Sequence, residues 1–231
     1  MHWEVVWRNI PYFLWGAYPQ GPLGGLAMSL LLALGGIFGA FWLGLGIGLM
    51  RLSRRGALRW PALVYIEIIR GTPLLMVIFW FYFLAPVLLG HSLPGAQSAL
   101  ISLIVFTSAY VAEIVRAGVL SLPKGQMEAS RGTGLSGFQA MVHVILPQAL
   151  FNMIPSFVNQ FVSLTKDTSL AFIIGVNELT KTATQVNSRT MNAPTEIFLA
   201  IAVIYFVVCY ALTAASRRLE AKINRYQARG R

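Results

Sequence analysis

A long stretch without charge constrains this chain more than any other feature. No charged residue occurs from Leu23 to Met50. An α-helix rises about 1.5 Å per residue, so about 20 apolar residues cross the hydrocarbon core of a bilayer. The stretch therefore predicts a membrane-spanning helix. Small residues recur within it at every fourth position, namely Gly36, Ala40, Gly44 and Gly48. They predict a face against which a second helix packs closely.

The composition agrees with a membrane protein. The mean hydropathy is +0.65, 56% of the 231 residues are hydrophobic and 11% are charged, so a soluble domain would lack the polar surface to cover itself. The net charge of +10 does not indicate nucleic acid, because Lys and Arg cluster at the ends of apolar runs and no groove-reading module is present. The single cysteine and three dispersed histidines predict neither a disulfide nor a metal site.

Further apolar segments predict an all-α integral membrane protein with five transmembrane helices. The spans are expected at about 23–50, 60–89, 97–120, 148–170 and 197–215. Four arginines follow the first span, at Arg51, Arg54, Arg55 and Arg59. By the positive-inside rule that end is cytoplasmic, which puts the N-terminus outside and the C-terminus in the cytoplasm. The predicted divisions are an amphipathic segment at 1–22, a transmembrane domain at 23–216 and a basic cytoplasmic tail at 217–231.

Both ends of the chain carry patterns of the membrane surface. The first segment has apolar residues at helical spacing, namely Trp3, Val6, Trp7, Ile10 and Leu14. They predict a short helix lying in the interface on the periplasmic side. The basic tail is expected to lie against anionic lipid headgroups rather than to bind nucleic acid. Residues 177–195 are polar and are predicted to be external or re-entrant.

Two pairs of opposite charges fall inside predicted spans. Glu67 and Arg70 stand three residues apart, as do Glu113 and Arg116. Four unpaired charges at the bilayer centre would cost roughly 10 to 14 kcal/mol. Residues three apart share a helical face, so ion pairing within each helix is predicted to relieve much of that cost. Direct contact of these residues with a transported solute is the alternative.

Two polar interruptions mark a candidate translocation pathway. Arg70 is followed by the helix-breaking residues Gly71, Thr72 and Pro73. The fourth span ends in Lys166, Asp167, Thr168 and Ser169, and an apolar run follows. Such a pattern predicts a discontinuous helix whose freed backbone faces protein or a cavity. A polar cluster at an ordinary helix end is the competing interpretation.

A polar island separates the third and fourth spans. It occupies 121–147, and its glycines divide it into pieces too short to cross a bilayer. Ser121 and Ser136 are predicted to cap one helix each, and Pro147 to end the second or open the next span. The island is therefore expected to lie outside the lipid, and composition alone is equally compatible with an ordinary cytoplasmic loop.

The spacing within this island resembles the EAA loop of ABC importer permeases. In that loop a Glu-Ala-Ala triplet precedes a glycine six residues after the glutamate and, later, an Ile-x-Leu-Pro signature. The matching residues are Glu128, Ala129, Gly134, Leu146 and Pro147. Ser130 stands in place of the second alanine and Val144 in place of the isoleucine. The resemblance implies a cytoplasmic coupling helix that docks into a cleft of a separate ATPase subunit, with the glutamate facing a basic partner.

Other segments are similar to permeases for polar amino acids. They are 65–75, 113–118, 124–126 and 166–170. The resemblance implies an inner-membrane complex of two permease subunits, identical or sister chains, with two ATPase subunits and a periplasmic amino-acid-binding protein. ATP and Mg²⁺ would bind the ATPases, and no cofactor would bind this chain. The chain has no phosphate-binding loop of its own and is not expected to be an enzyme.

The sequence defines the family better than it defines the substrate. Residues 80–86 resemble the glutamate/aspartate-type permeases most, which favours acidic amino acids, whereas glutamine or basic amino acids also fit the family. As a hypothesis, Asp167 would meet the substrate ammonium and Lys166 or Arg70 its carboxylate, while Thr72 and Thr168 would supply hydroxyl groups. An alternative from another class is an ion-coupled secondary transporter or channel that uses the carboxylates of Glu67, Glu113 and Asp167 as a relay.

Overall fold

In the computed structural model of the chain, all the regular elements of the described residues are helices. The structure describes the backbone of residues 2–229 and the side chains of residues 2–218. The helices are α1 (Trp3–Trp15), α2 (Gly25–Arg51), α3 (Gly56–Gly71), α4 (Leu74–Leu89), α5 (Gly95–Leu120), α6 (Lys124–Gly132), α7 (Gly137–Ile174), α8 (Leu179–Thr190) and α9 (Pro194–Arg229). The predicted basic tail at 217–231 lies, beyond residue 218, outside the described side chains.

The predicted all-α membrane fold is confirmed. Helices α2, α5, α7 and α9 are each long and apolar enough to cross a membrane, and α3 with α4 makes a fifth span when the bent pair is counted as one. The break expected after Arg70 is present as a sharp bend in the second span, where α3 and α4 meet at an angle of 108°. Pro73 causes the bend: it has no N–H to donate, and it holds Thr72 in an extended conformation with φ −107° and ψ 137°.

Helix α7 is longer than the fourth span expected from the sequence. Ser136 caps its start, since Gln139 N donates to Ser136 Oγ over 3.2 Å and Ser136 N donates to Gln139 Oε1 over 2.9 Å. The helix does not end at Pro147, because a widened π-helical turn at Met141–Ile145 accommodates the missing N–H. At the far end the expected discontinuity is a change to 3₁₀ geometry at Thr168–Ile174, before a left-handed turn at Gly175.

The small-residue face of α2 packs against α5. A Cβ at Gly44 would lie 2.6 Å from the backbone oxygen of Ser108, and a Cβ at Gly48 would lie 2.8 Å from that of Ala112. Both distances are far below ordinary van der Waals contact. The two backbones therefore approach as closely as they do only because these positions carry no side chain.

Replacing Gly44 by Ala should destabilise the protein, whereas the same change at Gly46 should not. The added methyl group at Gly44 meets fixed backbone, and overpacking of this kind costs about 1 to 3 kcal/mol. A Cβ at Gly46 meets nothing within 4 Å, so Gly46→Ala gains helix propensity of up to about 1 kcal/mol. Thermal unfolding of the purified variants should show Tm shifts of opposite sign. Equal shifts would mean that α2 does not pack on α5 through this face.

Helix α1 is joined to the rest of the molecule on one face only. Val6 and Phe13 are buried in a cluster with residues of α8 and α9. His2 N donates to Glu196 Oε1 over 2.7 Å, and Tyr12 OH donates to a side-chain oxygen of α8. On the other face the Trp7 side chain is 71% exposed. The helix is therefore amphipathic, as expected from the spacing of its apolar residues.

The start of α8 is held by Glu178, a buried carboxylate that no pattern in the sequence singled out. Its oxygens accept hydrogen bonds from Thr180 N at 2.9 Å and Lys181 N at 2.8 Å, which caps the helix. Tyr205 OH donates to the same carboxylate over 2.9 Å, and Ser29 Oγ donates over 3.5 Å. Since Ser29 belongs to α2 and Tyr205 to α9, one side chain joins three helices.

Candidate functional site

A cavity of about 370 Å³ opens between α3, α5 and α7. Its polar and charged lining comes from all three helices: Arg70 from α3, Tyr110, Glu113 and the adjoining Ser121 from α5, and Asn152, Ser156 and Gln160 from α7. Ile114, Ala117, Gly118 and Met153 complete the lining. We call this space the three-helix cavity. It is large enough for a small solute, and it combines apolar walls with a few polar groups, as binding sites commonly do.

Arg70 enters the cavity from the last turn of α3. Its guanidinium carbon lies 5.5 Å from the centroid of the Tyr110 ring, a cation–π arrangement. The predicted ion pair with Glu67 does not form, and the described residues provide no ion-pair partner for either side chain. The cation–π contact of Arg70 with Tyr110 is stronger than the expected ion pair with Glu67. An exposed ion pair three residues apart contributes about 0.2 to 0.5 kcal/mol, whereas a cation–π contact contributes about 0.5 to 2 kcal/mol.

Glu113 and Arg116 form an ion pair within α5. Arg116 Nε donates to both carboxylate oxygens, at 3.1 and 3.0 Å, and Nη2 adds a third contact to Oε1. The cavity is therefore lined by one cation without an ion-pair partner, Arg70, and one carboxylate whose charge Arg116 largely balances. In such an arrangement the guanidinium of Arg70 can donate hydrogen bonds to a carboxylate, and the carboxylate oxygens of Glu113 can accept them from an ammonium group.

The polar stripe on α7 was missed as a site by the sequence analysis. Asn152, Ser156 and Gln160 follow one another at four-residue intervals, so they share one face of the helix. That spacing was the available signal, but without a neighbouring helix it does not distinguish a cavity wall from a lipid-facing or subunit-facing surface. The side chains carry amide and hydroxyl groups that donate and accept hydrogen bonds.

The remaining predicted pathway residues do not line this cavity. Gly71, Thr72 and Pro73 form the bend beside Arg70, and the Thr72 hydroxyl donates to Ile68 O over 2.8 Å. Residues 166–169 lie beyond Gln160 along α7. There Lys166 is exposed, Asp167 and Ser169 are half-buried, and Thr168 is fully buried.

The hydroxyl of Thr168 is engaged within its own helix, where it donates to Thr165 O over 2.8 Å. Its burial prevents it from meeting a passing solute in this conformation. The three carboxylates of the alternative relay are also separated, since only Glu113 lines the cavity while Glu67 is exposed elsewhere on α3. Within the described residues no cluster of His, Cys, Asp or Glu could hold a metal ion.

The segment that resembles a coupling loop forms the short helix α6 between α5 and α7. Its inner face is anchored, because Ser130 is buried and Met127 packs against the core of α5 and α7. The Ser130 hydroxyl donates within α6, to Gln126 O over 2.7 Å. Glu128 and Ala129 are exposed on the outer face. Gly134, which follows the helix, has φ +90°, a conformation that favours glycine. Farther along the chain, within α7, Leu146 is half-buried and Pro147 is exposed.

An apolar side chain extends the exposed surface of this segment. Phe138, in the first turn of α7, is 77% exposed. Exposed aromatic residues beside a polar helix are typical of protein interfaces. Together with Glu128 and Ala129 it forms a surface that combines one carboxylate with an apolar contact.

Known proteins resemble this chain along almost its whole length. The family profile described as a binding-protein-dependent transport system inner membrane component matches residues 36–225. An L-cystine transport system permease of Bacillus subtilis (strain 168) is 39% identical over 228 residues, which cover 98% of this chain and 93% of the relative. A glutamine transport system permease of Escherichia coli (strain K12) is 35% identical over 223 residues, which cover 96% of this chain and 97% of the relative.

Solved structures share the fold as well. One titled an amino acid ABC transporter with histidines has a TM-score of 0.84 and 32% identity, and the match covers 96% of this chain and 99% of the other. The MetNI methionine ABC transporter, in inward-facing conformations, has the same fold at a TM-score of 0.73 and 23% identity, over 85% of this chain and 93% of the other. The chain therefore belongs to the binding-protein-dependent transport system inner membrane components, as an inner-membrane permease subunit of an amino-acid ABC transporter in which a separate subunit hydrolyses ATP.

Proposed function

We propose that this permease conducts polar, uncharged amino acids such as glutamine through the three-helix cavity. The observation that carries the proposal is the lining itself, which presents a cation, a balanced carboxylate and a stripe of amide and hydroxyl groups. A free amino acid brings an ammonium and a carboxylate, and both need partners once water is removed. Arg70 would bind the carboxylate, and Glu113 would accept from the ammonium.

The polar stripe of α7 would bind the side chain of the solute. A carboxamide both donates and accepts, and so do the groups of Asn152, Ser156 and Gln160. An acidic amino acid would bring a second carboxylate, for which the lining provides no second free cation. The preference for glutamate and aspartate expected from residues 80–86 is therefore replaced here by a preference for uncharged polar solutes. One of the relatives is named for glutamine transport, which agrees with this choice.

Helix α6 would couple the cavity to ATP hydrolysis. In this proposal its outer face, with Glu128 and Ala129, docks on the ATPase subunit, while Ser130, Gly134, Leu146 and Pro147 fix its position against the spans. The complete importer would contain two such permease subunits, identical or sister chains, two ATPase subunits that bind ATP and Mg²⁺, and a periplasmic amino-acid-binding protein. The proposed orientation has α1 at the periplasmic interface and the tail at 217–231 in the cytoplasm, against lipid.

Amino acids should differ in how strongly they stimulate ATP hydrolysis by the assembled importer. With the complex in nanodiscs and its binding protein in excess, glutamine is expected to stimulate hydrolysis more than glutamate or aspartate at equal concentration. The reason is that only an uncharged side chain leaves no carboxylate unpaired in the cavity. Stronger stimulation by the acidic amino acids would overturn the proposed preference.

In this experiment a matched pair of variants distinguishes selection of the solute by the cavity from selection by the binding protein. Asn152→Ala removes a cavity group and should lower the stimulation by glutamine several-fold, whereas Asn159→Ala removes the same amide from an exposed position outside the lining. Equal stimulation in both variants would mean that the cavity does not select the solute.

A further inference from the structure

A second cavity, of about 320 Å³, is lined by Arg116, the cation of the α5 ion pair. Its carboxylate partner, Glu113, lines the three-helix cavity instead. The second cavity is enclosed by the last residue of α2, the connector to α3, the first turn of α3 and the end of α5. The lining residues are Arg51, Leu52, Ser53, Arg54, Arg59, Arg116 and Leu120. We call it the arginine cavity. None of its lining residues lines the three-helix cavity or belongs to α6.

The arginine cavity holds more positive charge than its surroundings balance. Four of its lining residues are arginines, and of these only Arg116 has a carboxylate partner within the described part of the chain. Arg51, Arg54 and Arg59 therefore line one space without an ion-pair partner among the described residues. Like charges gathered in this way repel one another, and an anion bound between them would relieve the repulsion.

The rim of the cavity is apolar where it meets the spans. Leu120, at one edge, is 60% exposed, and Trp60, next to Arg59, is 65% exposed. From Trp60 an exposed apolar stripe continues along α3 at four-residue intervals, through Val64 at 49% and Ile68 at 54% exposure. Tryptophan is typical of the depth at which lipid headgroups lie.

We infer that the arginine cavity binds the phosphate of an anionic phospholipid, whose acyl chain lies along Trp60, Val64 and Ile68. Basic pockets between helix ends at a membrane surface are suited to anionic headgroups, and guanidinium forks match phosphate oxygens. A soluble anion would use the arginines but would leave the apolar stripe without a role. The stripe therefore favours a lipid over free phosphate as the occupant.

Binding of phosphatidylglycerol to the assembled complex in detergent tests this inference. Native mass spectrometry would compare the parent with the triple variant Arg51→Gln, Arg54→Gln, Arg59→Gln. The control triple variant Arg8→Gln, Arg131→Gln, Arg189→Gln removes the same charge from three exposed positions outside both the cavity and the basic tail. We expect the parent and the control to retain the lipid, and the cavity variant to bind it about 100-fold more weakly.

Further arms of the experiment distinguish the possible occupants. Phosphatidylcholine should bind much more weakly than phosphatidylglycerol to the parent, and inorganic phosphate at millimolar concentration should not displace the lipid. The triple variant with Lys at the three positions keeps the charge and should recover part of the affinity, which guards against loss through misfolding. The inference would be overturned if the two lipids bound equally well or if phosphate displaced the lipid. It would also be overturned if the Gln variant bound the lipid normally and instead failed to assemble with the ATPase.

Discussion

Reversing the charge of Glu128 is expected to remove most of the ATP hydrolysis that substrate stimulates, while the complex remains inserted and assembled. Glu128 is exposed on α6, whose other face packs against the spans through Met127 and carries the buried Ser130. A lysine there would face the basic group expected on the ATPase, and like charges across an interface cost several kcal/mol. Since about 1.4 kcal/mol corresponds to a factor of ten, stimulated hydrolysis should fall at least about tenfold.

The measurement compares Glu128→Lys with Glu128→Gln and with Glu4→Lys. The neutral variant should show a smaller loss, because it removes an attraction without adding a repulsion. Glu4 is another exposed carboxylate, placed on α1, and reversing its charge should leave stimulation unchanged. Full stimulation in an assembled Glu128→Lys complex would show that α6 does not transmit closure of the ATPase through this carboxylate.

Replacing Arg70 by Gln should lower amino-acid uptake about 10- to 100-fold. Among the described residues, Arg70 is the one lining cation without an ion-pair partner, so its loss would leave a substrate carboxylate in the cavity without a charged donor. Truncating one partner of a buried, hydrogen-bonded charge pair costs about 2 to 5 kcal/mol, and the loss here should lie at or below the low end of that range because Arg70 is exposed to water. Arg70→Lys keeps the charge but loses the planar fork and the stacking on Tyr110, so an intermediate loss is expected.

Arg189 provides the matched control for this experiment. Its guanidinium lies 5.4 Å from the ring centroid of Tyr12, nearly the same geometry as that of Arg70 over Tyr110, but outside the three-helix cavity. Arg189→Gln removes the same kind of contact and should leave uptake unchanged. Uptake assays in proteoliposomes should be accompanied by thermal unfolding of each variant. Parental uptake by an assembled Arg70→Gln importer would exclude the cavity as the substrate path.

The features that could be predicted from the sequence are those set by neighbours along the chain. The charge-free stretch 23–50 predicts a span because the bilayer accepts only a helix of that length and polarity. Pro73 restricts the residue before it wherever it occurs, so the break in the second span could be anticipated although its angle could not. The spacing from Glu128 to Pro147 likewise identified the segment that folds as α6 and the start of α7.

Tertiary structure alone decided which side chains of different helices meet. Arg70 lies over Tyr110 of another helix instead of pairing with Glu67, because helix rotation and crossing bring together residues that are far apart in sequence. The same rotation collects Asn152, Ser156 and Gln160 around Arg70 and leaves residues 166–169 outside the cavity. It also buries Glu178 among donors from three helices. Periodicity along one helix determines that it has a polar face, but only the packing of its neighbours determines what that face encloses.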